Sequence, residues 1–265
     1  MRVLIVVTLA AAAAFALGCQ ESGFDERKET ARPLKVQHVL GESKVPGQAE
    51  RPATLTVDSL DDTLALGLRP VRAAVPGLKL PGYLRRPGAG VELMYPVSEA
   101  DLPALEAGDP DVIVGGGRAA LYNDLSLIAP TVITANGSGQ WKLNLRLVGE
   151  GLGRTNDAEA LLTDYDRRVA ATRRAIEGRP RVAVARETDG RWRVAKRDSF
   201  AGTILADAGL RRASTLGRAD LVLTPAGSRA RVNGRLETVD EATWWGPGGV
   251  FEARAALADL KRILR

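Results

Sequence analysis

The sequence predicts an α/β protein, and three observations predict it. Two apolar runs closed by small or polar residues, "DPDVIVGGG" (109–117) and "APTVITAN" (129–136), read as buried strands. The chain then runs without proline from Trp141 to Glu177, with Leu161, Leu162, Tyr165, Val169, Thr172 and Ile176 at helical spacing. "RPRVAVARETDGRWRVAKR" follows as two strands around Asp189-Gly190, a strong hairpin signal, and further helix and strand patterns alternate to the end.

The elements can be taken in order. Residues 1–19, "MRVLIVVTLAAAAAFALGC", place Arg2 ahead of an apolar run from Val3 to Leu17 that is short for a bilayer span, so they read as a secretory signal. The run ends at Cys19, the only cysteine. Small residues before a cysteine resemble the lipobox of bacterial lipoproteins, although Ala16 stands where leucine is usual. Cys19 is therefore expected to carry a lipid anchor, the alternative being plain secretion with a free thiol. Residues 20–35 are polar and aperiodic, as a flexible tether would be.

The remaining body, about 230 residues, has room for one large or two modest domains. "ATLTV" (53–57) reads as a strand, and in "DSLDDTLALGL" Asp58 or Ser59 can cap a short helix that Gly67 stops. The last part holds the helix pattern "DSFAGTILADAGL", the strands "ADLVLT" and "RLETVD", and a closing helix "VFEARAALADLKRILR". The two Asp-Ser helices echo each other weakly. Each would begin at a strand's carboxyl end, the edge of an α/β sheet where ligands collect.

Composition narrows the chemistry. A surplus of 37 Lys+Arg over 32 Asp+Glu gives +5, which suits anionic ligands or an anionic membrane surface; nucleic acid is not expected as a partner outside the cell. One histidine, His38, and one cysteine leave no usual Zn or Cu cluster, and they remove the customary base of serine, cysteine and metal hydrolases. His38 itself reads as a solvated or core-edge imidazole. "VIVGGGRAAL" formally fits the dinucleotide pattern G-x-G-x-x-A, but the next strand ends in Asn136 where a ribose-binding acid is wanted, and "YNDLSLIAP" interrupts the helix that should follow. An enzyme is not expected.

"EATWWGPGG" (241–249) sets two of the four tryptophans side by side ahead of a glycine-rich loop. Neighbours in a helix point about 100° apart, so at least one indole is expected to face solvent or a ligand. The plain alternative has Trp244 capping the core and Trp245 covering a domain seam.

Taken in succession, the lipobox-like signal, "RPATLTVDSLDDTLALGLRPV", "DPDVIVGGG" with "LSLIAPTV", "WKLNLRLVGEGLGR" leading to "LLTDYDRRV", "RDSFAGTILADAGL" and "TWWGPGG" resemble the iron-siderophore substrate-binding lipoproteins of bacterial ABC importers. The resemblance implies two α/β lobes joined by one long rigid helix, with a ligand cleft between them. The implied division is an N-terminal lobe (36–140), a linking helix (141–178) and a C-terminal lobe (179–265). It implies a monomer on the extracytoplasmic face, held to the membrane by its lipid, that captures a ferric siderophore for an importer's permease without a covalently bound cofactor. Heme or corrinoid would suit the same fold, and a capturing or sensing lipoprotein without a permease is the other reading.

The resemblance also implies site residues. An oxygen-rich, often anionic chelate calls for aromatic faces and guanidinium donors. By family position Arg186 stands at the second lobe's cleft edge, with Trp244 and Trp245 on the loop beside it and glycines that let backbone approach the ligand. On the first lobe "PGYLRR" offers Tyr83, Arg85 and Arg86, and "GGGR" offers Arg118 followed by Tyr122. Trp141 is expected to be packed, and Trp192 could face either way. Two departures bear on permease docking. Pro103 stands where an acidic residue is usual, with Glu99, Asp101 and Glu106 nearby, and the stretch between Leu210 and Ala219 has no room for the helix that normally carries the second acid.

Overall fold

The computed structural model describes residues 32–116, 119–228 and 232–265. The expected signal, Cys19, most of the expected tether, and Arg118 lie outside the described residues.

The chain begins with a hairpin that the patterning did not announce: β1 (Leu34–His38) pairs antiparallel with β2 (Gly41–Val45). The first α/β unit then follows as β3 (Pro52–Thr54), α1 (Val57–Ala65), β4 (Arg72–Ala74), β5 (Leu93–Met94), α2 (Leu102–Glu106), β6 (Val112–Gly115), α3 (Tyr122–Ile128) and β7 (Thr131–Ile133). Its sheet is parallel throughout, in the order β5-β4-β3-β6-β7. β6 inside the sheet and β7 at its end, where the first hairpin packs on it, are buried on both faces, which is why "VIVG" and "TVI" show no alternation.

The segment expected as one linking helix is two. α4 (Trp141–Gly151) ends at Leu152, and α5 (Thr155–Ala175) starts after Gly153 and Arg154. Gly153 has φ +67, and a Cβ there would lie 2.1 Å from the Gly47 carbonyl oxygen. Only glycine can take that conformation in that space. The two helices pack against each other, and Gly149 lets α4 meet Ala158 of α5 closely. An unbroken proline-free stretch concealed a reversal made by glycines.

The second unit contains β8 (Arg181–Thr188), β9 (Arg191–Val194), α6 (Phe200–Asp207), β10 (Arg211–Arg212), β11 (Leu221–Thr224), β12 (Arg235–Thr238), α7 (Glu241–Trp245) and α8 (Val250–Ile263). The parallel order is β10-β8-β11-β12, and β9 adds antiparallel to β8. The first half of β8 belongs to the sheet. Its second half, Ala185–Thr188, leaves the sheet to pair with β9 around Asp189 and Gly190, both at positive φ, as the hairpin signal predicted.

α8 packs on both α5 and α1. One hydrophobic core therefore runs from Val112, Val114 and Val132 of the first sheet through Trp141, Tyr165 and Leu260 to Val182, Val184 and Leu223 of the second. Two separate sheets sharing that core give the α/β fold of two lobes.

Candidate binding cleft

The carboxyl ends of β3, β6 and β7 deliver three backbone turns to the edge of the first sheet. After β3, Thr56 caps α1, the role expected of Asp58 or Ser59. Ser59 instead returns the bond, its Oγ lying 3.0 Å from Thr56 Oγ1 and 3.2 Å from the Thr56 N–H. After β6, Gly115 (φ +142) passes so close to this turn that a Cβ would meet Ser59 Oγ at 2.6 Å. After β7, the side chain of Asn144 on α4 accepts from the Ala135 N–H (3.0 Å) and donates to the Ala135 carbonyl (3.1 Å), fixing the loop 135–138.

These turns enclose a cavity of about 340 Å³ lined by Thr56, Asp58, Gly116, Asn136, Ser138 and Asn144, closed on the other lobe by Pro247. Burial raises the Asp58 carboxyl above its ordinary range. A second cavity of about 510 Å³ shares Gly137 and Ser138 with the first and is walled by Trp192, Arg193, Lys196, Asp198, Ser199 and Trp245. A third, about 390 Å³, shares Pro247 and takes in Lys79, Tyr83, Arg85 and Asp240. The common walls make one furrow between the lobes, with polar groups along its floor and the indoles of Trp192 and Trp245 in its wall.

The tryptophan pair divides. Trp244 is buried and its Nε1 donates to Asp259 Oδ2 over 3.0 Å. Trp245 is half-buried, borders the second cavity and carries the Arg186 guanidinium over its ring at 4.6 Å. Arg186 also gives Nη1 to Glu241 Oε1 at 3.0 Å. Arg186 Nε and Trp245 Nε1 are left without a partner.

The glycines beside the pair allow close packing, and Gly246 also borders the third cavity. A Cβ on Gly246 would meet the Glu252 carboxylate, on Gly248 the Ser138 carbonyl at 2.8 Å, and on Gly249 the Asp61 side chain at 2.5 Å. They bring this loop against the first lobe and the start of α8; only Pro247 faces the first cavity.

The remaining expected site residues separate as well. Arg85 and Tyr83 border the third cavity, Tyr83 with its hydroxyl donated to Glu252. Arg86 is exposed. Tyr122 is turned from the furrow: its ring packs on His38 at 5.4 Å, and its hydroxyl lies 3.3 Å from both His38 Nε2 and Ser43 Oγ. His38 holds the first hairpin, its Nδ1 accepting from the Leu40 N–H. Trp141 is buried against Tyr165 and Phe200 as expected, and Trp192 faces the second cavity.

Sequence reasoning missed Thr56, Asn136, Ser138 and Asn144. The signal was there in "TANGSGQ" directly after a strand, a polar and glycine-rich stretch at the sheet edge where α/β proteins bind ligands. Among the described residues, no group of three or more His, Cys, Asp or Glu is placed to hold a metal ion.

Comparison with known proteins agrees with this architecture. Residues 54–230 match the family model described as periplasmic binding protein. The probable siderophore-binding lipoprotein YfiY of Bacillus subtilis is 29% identical over 219 residues, 80% of this chain and 67% of YfiY. Staphylococcus aureus SirA, solved with staphyloferrin B, superposes with a TM-score of 0.70 at 21% identity, covering 87% of this chain and 97% of SirA. A periplasmic solute binding protein from Mycobacterium smegmatis gives 0.73 at 18% identity, over 88% and 99% of the two chains. The chain belongs to the periplasmic binding protein family.

Proposed function

We propose that this protein captures a ferric siderophore in the furrow between its lobes, outside the cytoplasm, and presents it to the permease of an ABC importer. The observation that carries the reading is the Arg186–Trp245 stack. Its indole borders the second cavity, and the guanidinium stacked on that ring adds a positive charge, so the pair offers an aromatic face and a charge suited to a ring-bearing, oxygen-rich anionic chelate. The name of YfiY points to the same ligand class. On this reading the protein acts by binding and not by catalysis, as a monomer. The chelate is held by Trp245, Arg186 and Arg85 with the polar floor of Asn136 and Ser138, and Arg118 is a further candidate.

Tryptophan fluorescence titrated with ferric catecholates, ferric hydroxamates, ferric citrate, heme and cobalamin tests it. Saturable quenching by a ferric siderophore supports the reading. Quenching by heme or cobalamin alone replaces it.

The membrane attachment belongs to the same proposal and rests on Cys19. Among the described residues no helix is long and apolar enough to cross a membrane. Cys19→Ser should release the protein or leave it unprocessed; a variant still processed and membrane-bound as before removes the anchor from the reading.

One observation favours capture without a permease. Between Leu210 and Ala219 the chain forms only β10 and a single 3-10 turn, Leu216–Arg218. On the first lobe Glu99 and Glu106 are exposed on either side of Pro103, whereas Asp101 is engaged by Ser98. Glu99→Ala with Glu106→Ala should abolish iron uptake in the producing cell while leaving chelate binding intact; unchanged uptake favours the uncoupled reading.

A further inference from the structure

The chain's positive charge is not evenly spread. Residues 32–175 hold 17 Lys/Arg and 17 Asp/Glu, whereas residues 176–265 hold 17 Lys/Arg and 11 Asp/Glu, a surplus of six. Part of that surplus converges on one place. On the flank of the second lobe, between α6 and the edge strand β10, a cavity of about 500 Å³ is lined by Arg197, Arg211 and Arg212 with Gly202, Ala206 and Leu210. It shares none of these residues with the three cavities of the furrow.

The arginines are held differently. Arg212 is half-buried, and its Nη1 is pinned to the carbonyl oxygens of Ala195 (3.1 Å) and Ala213 (3.2 Å), which fixes the plane of its fork. Arg197 and Arg211 are exposed, and among the described residues no carboxylate forms an ion pair with either. Asp220 feels the charge of Arg211 but is engaged by Arg181, through its side chain and its backbone N–H. Arginine on an edge strand can simply block the pairing of that edge with another chain. Edge protection needs neither an inward, pinned guanidinium nor a third arginine from a different loop, and three like charges around one cavity repel unless an anion sits among them.

We propose that this cavity is an anion site, separate from the chelate cleft, that takes a phosphate-type oxyanion. Arg212 supplies the fixed fork, Arg197 and Arg211 close over the anion, and Ala206 and Leu210 wall the side on which the group that carries it would lie, while Gly202 lets α6 pack against the Lys196 and Arg197 carbonyls. The oxyanion can belong to a free phosphate or to the phosphodiester of an anionic lipid, and the site's chemistry is the same for both.

Calorimetry of the full chain with inorganic phosphate, and sedimentation with phosphatidylcholine vesicles with and without phosphatidylglycerol, test the site and separate the sources. Wild-type protein should bind phosphate, prefer the phosphatidylglycerol vesicles, or do both. Phosphate binding without vesicle preference assigns a free anion, and vesicle preference without phosphate binding assigns a lipid. The double variant Arg197→Gln, Arg211→Gln, which removes only exposed side chains, should weaken whichever binding occurs about tenfold or more, with the ferric chelate titration unchanged. Arg212→Gln should do the same where it folds. The proposal is overturned if neither probe binds better than chloride or neutral vesicles, or if the double variant binds like wild type.

Discussion

The phenol of Tyr83 donates to Glu252 Oε2 over 3.0 Å, joining the loop that follows β4 to the first turn of α8. Around this bond lies a buried set of acids. Asp61 accepts from the N–H groups of Phe251 (2.8 Å) and Glu252 (3.0 Å) and so caps α8 from α1, while Asp62 is buried beside it with only the Val250 N–H near its carboxyl. Burial pushes the Asp61 carboxyl up to about 7, against the bonds from Phe251 and Glu252 and the charge of Arg254. Burial likewise holds Asp62 and Glu252 well above the ordinary carboxylate range, with the Asp61 charge adding to it.

A pH dependence follows from these directions. Carboxyls raised in the folded state bind more protons there than in the unfolded chain, so their stabilisation is present at acid pH and is lost as pH rises through the folded values. Asp164 acts oppositely: hydrogen bonds from Arg168 and Arg167 hold it at about 2, so its contribution is lost only as pH falls towards that value. The melting temperature should therefore peak at about pH 4–5 and decline towards about pH 8. Asp62→Asn, which removes a buried charge and keeps one carbonyl oxygen as an acceptor for the Val250 N–H, should raise the melting temperature at the alkaline end and flatten the profile. Scanning calorimetry across that range checks both; a wild-type melting temperature that climbs steadily from acid to alkaline pH contradicts the assignment.

The buried acids also mark the limit of what the sequence discloses. "DSLDDTLAL" shows a short helix with an acidic start, and the helix is there. Nothing in its spacing says that Asp61 reaches a helix N-terminus 190 residues away. Local signals were sound: Asp189-Gly190 turns the hairpin, Gly67 and Gly209 follow α1 and α6 at positive φ, and the buried strands are where apolar runs end in glycine or polar residues. The errors came where tertiary packing chooses among local options, as at Gly153, which breaks the expected linking helix, and at Tyr122, whose partner is a hairpin 84 residues back.

The tryptophan pair should separate stability from binding. Trp244 is buried and hydrogen-bonded, so Trp244→Ala should cost about 3–5 kcal/mol of folding stability. Trp245 borders a cavity, so Trp245→Ala should leave melting nearly unchanged and lose about 1–3 kcal/mol of chelate affinity. Thermal melts and titrations on both variants decide it. Two early-melting variants that bind normally per folded molecule would return the pair to the core.

Ligand binding should move the lobes little. The core is continuous from one sheet to the other, Ser138 Oγ accepts from the Phe200 N–H at 3.1 Å, and Gly139 lies against the Asp198 carbonyl across the seam. A hinge would have to break these contacts. Solution scattering with and without the chelate should show a change in radius of gyration of less than about 1 Å; a contraction of several ångströms would mean that the shared core parts on opening.

Arg186 is shared between a ring and a carboxylate, and that sharing sets the direction of its variants. Its guanidinium stacks on Trp245 at 4.6 Å and pairs with Glu241 at 3.0 Å. The pair is partly exposed, so it stabilises the fold little, and its main effect is to offset the positive charge that an anionic chelate would meet. Arg186→Ala should weaken anionic chelates more than neutral ones, because a guanidinium in a partly dry cleft acts mainly through charge. Glu241→Gln should do the reverse, strengthening anionic chelates several-fold while leaving neutral ones and the melting temperature nearly as they were. Titrating one anionic and one neutral ferric siderophore against both variants measures the difference. Equal losses for the two ligands in Arg186→Ala would mean that Arg186 serves to hold Trp245 in place, with no direct part in reading the ligand's charge.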